Sequence, residues 1–115
     1  MNSHALHQRS RAFVTAFERS APPPEPFDSL ACDLARFQAE ANPGYQRLCN
    51  SRGVDPKKMQ RASDAPAVPT DVFKLARVAT FAEHETTARF RTSGTTEGSS
   101  VRGEHAFQTI ATYDA

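Results

Sequence analysis

The chain has 115 residues, which allows one small domain and is short for two of ordinary size. Leu, Ile, Val and Phe fill only 20 positions, and the alanines that raise the hydrophobic fraction to 38% bury little area each, so core material is scarce. Fourteen Lys and Arg against thirteen Asp and Glu leave a net charge of +1, which argues against the dense basic field of a nucleic-acid binder.

No run approaches the roughly 20 apolar residues of a membrane span, and "MNSHALHQRSRAF" lacks the apolar stretch of a secretory signal, so a cytoplasmic protein is expected. Cys32 and Cys49 have neither CxxC spacing nor a matching His pair, and are read as reduced core thiols rather than metal ligands or a disulfide.

Residues 3 to 19 predict a first helix, with Leu6, Phe13, Val14 and Phe17 at helical spacing and Arg9, Arg11 and Arg19 on a wet face. The proline-rich spacer 21–26, "APPPEP", ends it. A second helix runs to Asn42 with Asp28 as its expected cap and a stripe of Phe27, Leu30, Leu34, Phe37 and Ala41; Cys32 is placed to pack near Phe27. Asn42-Pro43 caps a short third helix with Tyr45, Leu48 and Cys49 on one face, and Gly53 supplies the left-handed residue that ends it.

Residues 53 to 69 form an extended connection with a helical turn around 57–62 and solvated Lys57 and Lys58; Thr70 caps one turn, "DVFKLA". Thr, Val and Phe then dominate "RVATF" (77–81) and "TTARFRT" (86–92), expected as neighbouring strands around a turn that exposes His84. Ala88, Phe90 and Thr92 alternate against Arg89 and Arg91. "GEHAFQTIATYDA" puts Phe107, Ile110 and Ala111 on one side of an expected fourth helix.

The segment "RTSGTTEGSS" (91–100) therefore falls in the expected order strand, hydroxyl-rich loop, helix, where free amides and a helix dipole receive anions. Gly94 allows close backbone approach, and Thr92, Ser93, Thr95 and Thr96 each offer a hydroxyl donor. It is no Walker loop, since no lysine follows position 74, and read by itself it suits a flexible tether as well as an anion cradle.

With its surroundings, "VPTDVFKLARVATF...RFRTSGTTEGSSVRGEHAF" resembles the amino-terminal part of acyl-adenylating enzymes, most of all the LuxE-type acyl-protein synthetases; Pro69, Phe73, Lys74 and Ser93 to Thr96 match in order, and the likeness spans residues 68 to about 107. It implies an α/β fold in which a helical region, 1–68, precedes the start of an adenylation domain, 69–115. It also implies an ATP-dependent ligase: a carboxylate, from a fatty or related acid, attacks the α-phosphate of ATP, and the acyl group passes from the acyl-adenylate to a thiol or protein acceptor. On this likeness Thr92, Ser93, Gly94, Thr95, Thr96 and Gly98 contact the phosphates with Mg2+, and Arg102 and His105 are further candidate contacts.

Glu97 departs from the family pattern by standing between Thr96 and Gly98, and "SSVR" replaces Pro-Lys. A carboxylate about 5 Å from a phosphate costs roughly 1–3 kcal/mol at an intermediate dielectric, so Glu97 is expected to point away or towards a metal. The remainder of such a ligase would follow residue 115, so the chain alone is expected to be inactive, with apolar faces on the second and fourth helices lacking partners. The alternatives are a small helical interaction module with a polar tether, or a degenerate remnant of a ligase.

Overall fold

The computed structural model describes residues 2–69, 79–91 and 104–108. They form a mixed α/β structure in two compact units, the first containing the residues up to Pro66 and the second beginning at Ala67. The first unit holds α1 (Ser3–Glu18), α2 (Phe27–Ala41) and α3 (Pro43–Ser51), followed by 3-10 turns at Pro56–Lys58 and Ala62–Asp64. The second holds a 3-10 turn at Glu83–Glu85 and two antiparallel strands, β1 (Ala88–Arg91) and β2 (Glu104–Phe107). Among the described residues no helix is long and apolar enough to cross a membrane.

The helix ends follow local chemistry. Asn2 caps α1 by accepting from the amide of Ala5 at 2.8 Å, and Asn42 caps α3 by accepting from Gly44 and Tyr45. Asn42 is itself buried, so these bonds also satisfy a polar group removed from water. At the other end of α3, Gly53 (φ 67°) donates to Asn50 and Val54 donates to Cys49, the paired bonds of a Schellman turn. The end of α1 repeats this geometry with a serine: Ser20 (φ 54°) donates to Phe17 and Ala21 donates to Ala16, after which the prolines prevent any continuation.

Asp28 does not cap α2. Pro26 occupies the cap position without a side-chain bond, and Asp28 lies in the first turn, where its Oδ1 accepts from the amide of Ala62 at 2.9 Å. A partner 34 residues away won over the local one. The buried face of α2 also differs from the expected stripe. Leu30, Cys32, Ala35 and Ala39 are buried, Leu34 and Phe37 are half-buried, and Phe27 is 63% exposed with its ring edge-on to Phe13 at 6.3 Å. Small residues face inward because α2 packs against α1, α3 and both following turns, and close approach favours alanine. This face finds its partners within the unit, contrary to expectation.

Leu6, Tyr45, Cys49 and Met59 complete this small core. The Tyr45 hydroxyl donates to the carbonyl of Pro66 at 2.8 Å, which satisfies its polar end and draws the last residues of the unit onto α3. Burial pushes the Tyr45 hydroxyl and the Cys49 thiol up, so neither is an activated group.

A charged network binds the outer side. Arg9 donates to both oxygens of Glu25, at 2.9 and 2.5 Å, and to Asp33 at 2.8 Å. Arg36 donates to the other oxygen of Asp33 at 3.0 Å and to the carbonyls of Pro56 (3.0 Å) and Met59 (2.5 Å). Arg9 thereby fixes the proline spacer and α2 to α1, and Arg36 fixes the chain after α3 to α2.

The second unit departs further from expectation. Residues 79–81 are not in a strand, and β1 pairs with β2. Glu104–Phe107, expected in a helix, is a strand instead: pairing with β1 satisfies its backbone, and all four residues are half-buried. The expected "DVFKLA" turn, with Thr70, Phe73 and Lys74, lies outside the described residues.

Two predictions follow from these ties. Ser20→Gly is expected to raise stability by about 0.5–1 kcal/mol, because a left-handed residue with a Cβ is disfavoured by roughly 1–2 kcal/mol and glycine's larger unfolded-state entropy offsets part of the gain. An upward shift in the urea midpoint at unchanged slope would register it, and a destabilised variant would contradict the strain. The hydrogen bonds from Arg9 hold the Glu25 carboxyl below the ordinary carboxylate range, against opposing desolvation. A depressed carboxylate stabilises the fold above its ordinary pKa, and that contribution is lost as pH falls through the folded value. The stability gap between the wild type and Arg9→Met is therefore expected at neutral pH and to shrink below the carboxylate range; urea titrations at both pH values measure it, and a pH-independent gap would contradict the assignment.

Candidate functional site

The phosphate-loop candidates are bounded by β1 and β2, and the register of these strands decides how that segment starts and ends. Ala88 lies opposite Phe107, Arg89 opposite Ala106, Phe90 opposite His105 and Arg91 opposite Glu104. Side chains alternate across the pleat, so Ala88, Phe90, His105 and Phe107 share one face. On that face the rings of Phe90 and Phe107 meet edge-on with centroids 4.9 Å apart. Phe90 keeps 43% of its surface exposed.

The opposite face is ionic. Arg89 donates to Glu104 Oε1 at 2.9 Å and is also paired with Glu83, and its hydrogen bonds to Glu83 and Glu104 raise the Arg89 pKa. Thr87 ties the base of the ladder: its amide donates to the Phe107 carbonyl at 2.7 Å, and its hydroxyl lies within reach of the Phe107 (3.1 Å) and Gln108 (2.9 Å) carbonyls. Two-stranded sheets are marginal in water, and here the aromatic pair, the ionic cross-strand contact and this threonine reinforce four residue pairs.

Of the residues singled out in the sequence, Thr92, Ser93, Gly94, Thr95, Thr96, Gly98 and Arg102 lie outside the described residues. His105 is described, and its place is a correction: it stands on a strand across from Phe90, half-buried, and not on a helix after the loop. The structure does not give this loop the expected helix start at 104–107, so the helix-dipole argument for anion binding does not carry over to these residues. What remains is a closed base. Residues opposite one another in an antiparallel ladder have Cα atoms about 4.5–5.5 Å apart, so Arg91 and Glu104 hold the two ends of segment 92–103 close together.

Other groups offer little chemistry. His84 lies exposed in the Glu83–Glu85 turn, and Cys32 and Cys49 are buried in the helical unit. Among the described residues no group of three or more His, Cys, Asp or Glu is arranged to hold a metal ion. The helical unit does contain a cleft of about 480 Å³ between α2, α3 and residues 53–57. Sequence reasoning missed it because its polar lining, including Lys57, looks like ordinary solvated surface until the chain folds back.

No protein-family model, curated protein or solved structure matches this chain in comparisons with each.

Phe90→Ala is expected to remove about 0.5–1.5 kcal/mol of aromatic pairing beyond lost area, enough to open a sheet of this size. Cross-strand NOEs between residues 88 and 107 should weaken or vanish in the variant while the α1–α3 resonances persist. Unchanged cross-strand NOEs would show that the ladder does not depend on this pair.

Proposed function

We propose that this chain is the amino-terminal part of an ATP-dependent acyl-activating ligase of the acyl-protein synthetase kind, and that residues 92–98 grip the phosphates of ATP with Mg2+. The observation that carries the reading is the ordered series Pro69, Phe73-Lys74 and Ser93-Gly94-Thr95-Thr96, bounded by strands that hold Arg91 and Glu104 opposite one another.

A ladder that returns the chain to its starting point suits a ligand loop better than a tether, which gains nothing from having its ends joined. Closing a loop of this length costs about 2 kcal/mol of chain entropy, and the β1–β2 pairing meets that cost before any ligand arrives. Ser93, Thr95 and Thr96 would then donate hydroxyls, and Gly94 its unobstructed amide, to phosphate oxygens. Arg102 would supply a cation where the family pattern has lysine, and His105 would act only from the strand flank. The substrate would be a fatty or related carboxylic acid, and the acyl acceptor a thiol or a protein.

A second reading is a non-catalytic helical interaction module, or a remnant that keeps the loop without activity. The self-contained core of α1–α3, built on Leu30, Tyr45, Cys49 and Met59, favours the module.

Titration of the chain with ATP by calorimetry, with and without Mg2+, separates the readings. The ligase reading expects Mg2+-dependent binding that Ser93→Ala together with Thr95→Ala weakens by at least about tenfold, since a hydrogen bond to a charged group contributes roughly 1.5–3 kcal/mol. No Mg2+-dependent binding, or binding unaffected by the double substitution, would overturn it in favour of the module.

A further inference from the structure

The cleft in the helical unit has no part in the proposed ATP site, and its walls are fixed by named bonds. Arg36, on α2, donates to the carbonyls of Pro56 and Met59 and so clamps the outer wall to the helix. Val54 donates to the Cys49 carbonyl at 2.9 Å, and Asp55 accepts from the amide of Lys57 at 3.0 Å, which set the turn leading out of α3. A cavity held this way exists before a ligand arrives, and its volume of about 480 Å³ lies within the usual range for ligand sites of roughly 300–1,000 Å³.

The lining selects the ligand class. Its charged side chains cancel, with Arg36 and Lys57 against Glu40 and Asp55, and Arg36 is already bound to Asp33. A balanced lining gives a phosphate or nucleotide little to bind. Ala39, Val54 and Pro56 provide an apolar floor, and two carboxamides, Gln46 and Asn50, stand one helical turn apart on α3. Neither carboxamide makes a side-chain hydrogen bond among the described residues.

A carboxamide carries both a donor and an acceptor, which is the complement of a peptide unit. Residues four apart on a helix have Cβ atoms about 5–6 Å apart, close to the roughly 6.6 Å between every second residue of an extended chain. A cleft of this volume has room for a short segment of chain. We infer that this cleft binds a short extended peptide segment, uncharged in its side chains, with Gln46 and Asn50 pairing to its main chain.

The test uses the whole chain, labelled with 15N, and N-acetyl-trialanine amide as the probe. Because the probe is blocked at both ends, terminal charges cannot drive binding. Chemical-shift changes are expected at the amides of Asn50, Val54 and Lys57, with a dissociation constant in the millimolar range. Gln46→Ala with Asn50→Ala should weaken binding about tenfold. Both positions are exposed and helical and alanine is the best helix former, so circular dichroism should show α1–α3 unchanged. No shifts up to about 10 mM peptide, shifts elsewhere, or equal binding by the double variant would overturn the inference. Shifts of these same amides by Mg-ATP instead of peptide would also overturn it. A failed ATP titration at residues 92–98 would leave it standing.

Discussion

The carboxylate of Asp33 holds the helical unit together at the point where its hydrophobic resources run short. One oxygen accepts from Arg9 on α1 and the other from Arg36, which shares α2 with Asp33. Each guanidinium then uses its remaining donors on a further segment: Glu25 in the proline spacer for Arg9, and the Pro56 and Met59 carbonyls for Arg36. An isolated ion pair with side chains a quarter exposed would contribute little. Here each arginine is committed in several directions, and the tie to Met59 brings one of the few large apolar side chains into the core, where it is 3% exposed. With 20 Leu, Ile, Val and Phe in the whole chain, apolar burial alone is a thin basis for packing three helices, and the arginine network adds ties from α2 to α1, to the proline spacer and to the chain that follows α3.

What the sequence made legible was what local chemistry decides. Asn42 before Pro43 and Gly53 after "YQRLCNSR" marked α3, because caps and left-handed residues are properties of a few neighbouring positions. Features decided by distant partners were misread. Asp28 has the right chemistry for a cap but finds the Ala62 amide 34 residues away. The stripe of large residues on α2 placed Leu30 correctly inside, yet packing on several sides also turned Ala35 and Ala39 inward, left Leu34 and Phe37 half-buried and Phe27 mostly exposed. "EHAF" is too short for periodicity to separate helix from strand, and only β1, an element 13 residues back along the chain, decides the question.

The candidate site divides along the same line. The proposal for the hydroxyl-rich segment rests on residue type alone, since Ser, Thr and Gly at 92–98 offer donors and close backbone approach and these positions lie outside the described residues. The flanking geometry was non-local and so was misjudged: His105 came with an expected helix start and instead stands on a strand. The cleft near Gln46 and Asn50 left no mark in the sequence, because its walls come from α2, α3 and a turn that meet only after folding.

The change from helix to strand at Glu104–Phe107 alters the electrostatics that any phosphate grip at this hairpin must rely on. A helix start would have supplied about half a positive charge and several aligned amides. A strand supplies neither, because its dipoles alternate. On the ligase reading, attraction for ATP would then have to come from the hydroxyls of Ser93, Thr95 and Thr96, from Arg102 and from the magnesium that accompanies the nucleotide. Glu97 would oppose these unless it faced that metal. The same reading thus makes binding depend on magnesium more steeply than a helix-capped loop would, since the divalent ion becomes the largest positive charge available to offset both the triphosphate and Glu97.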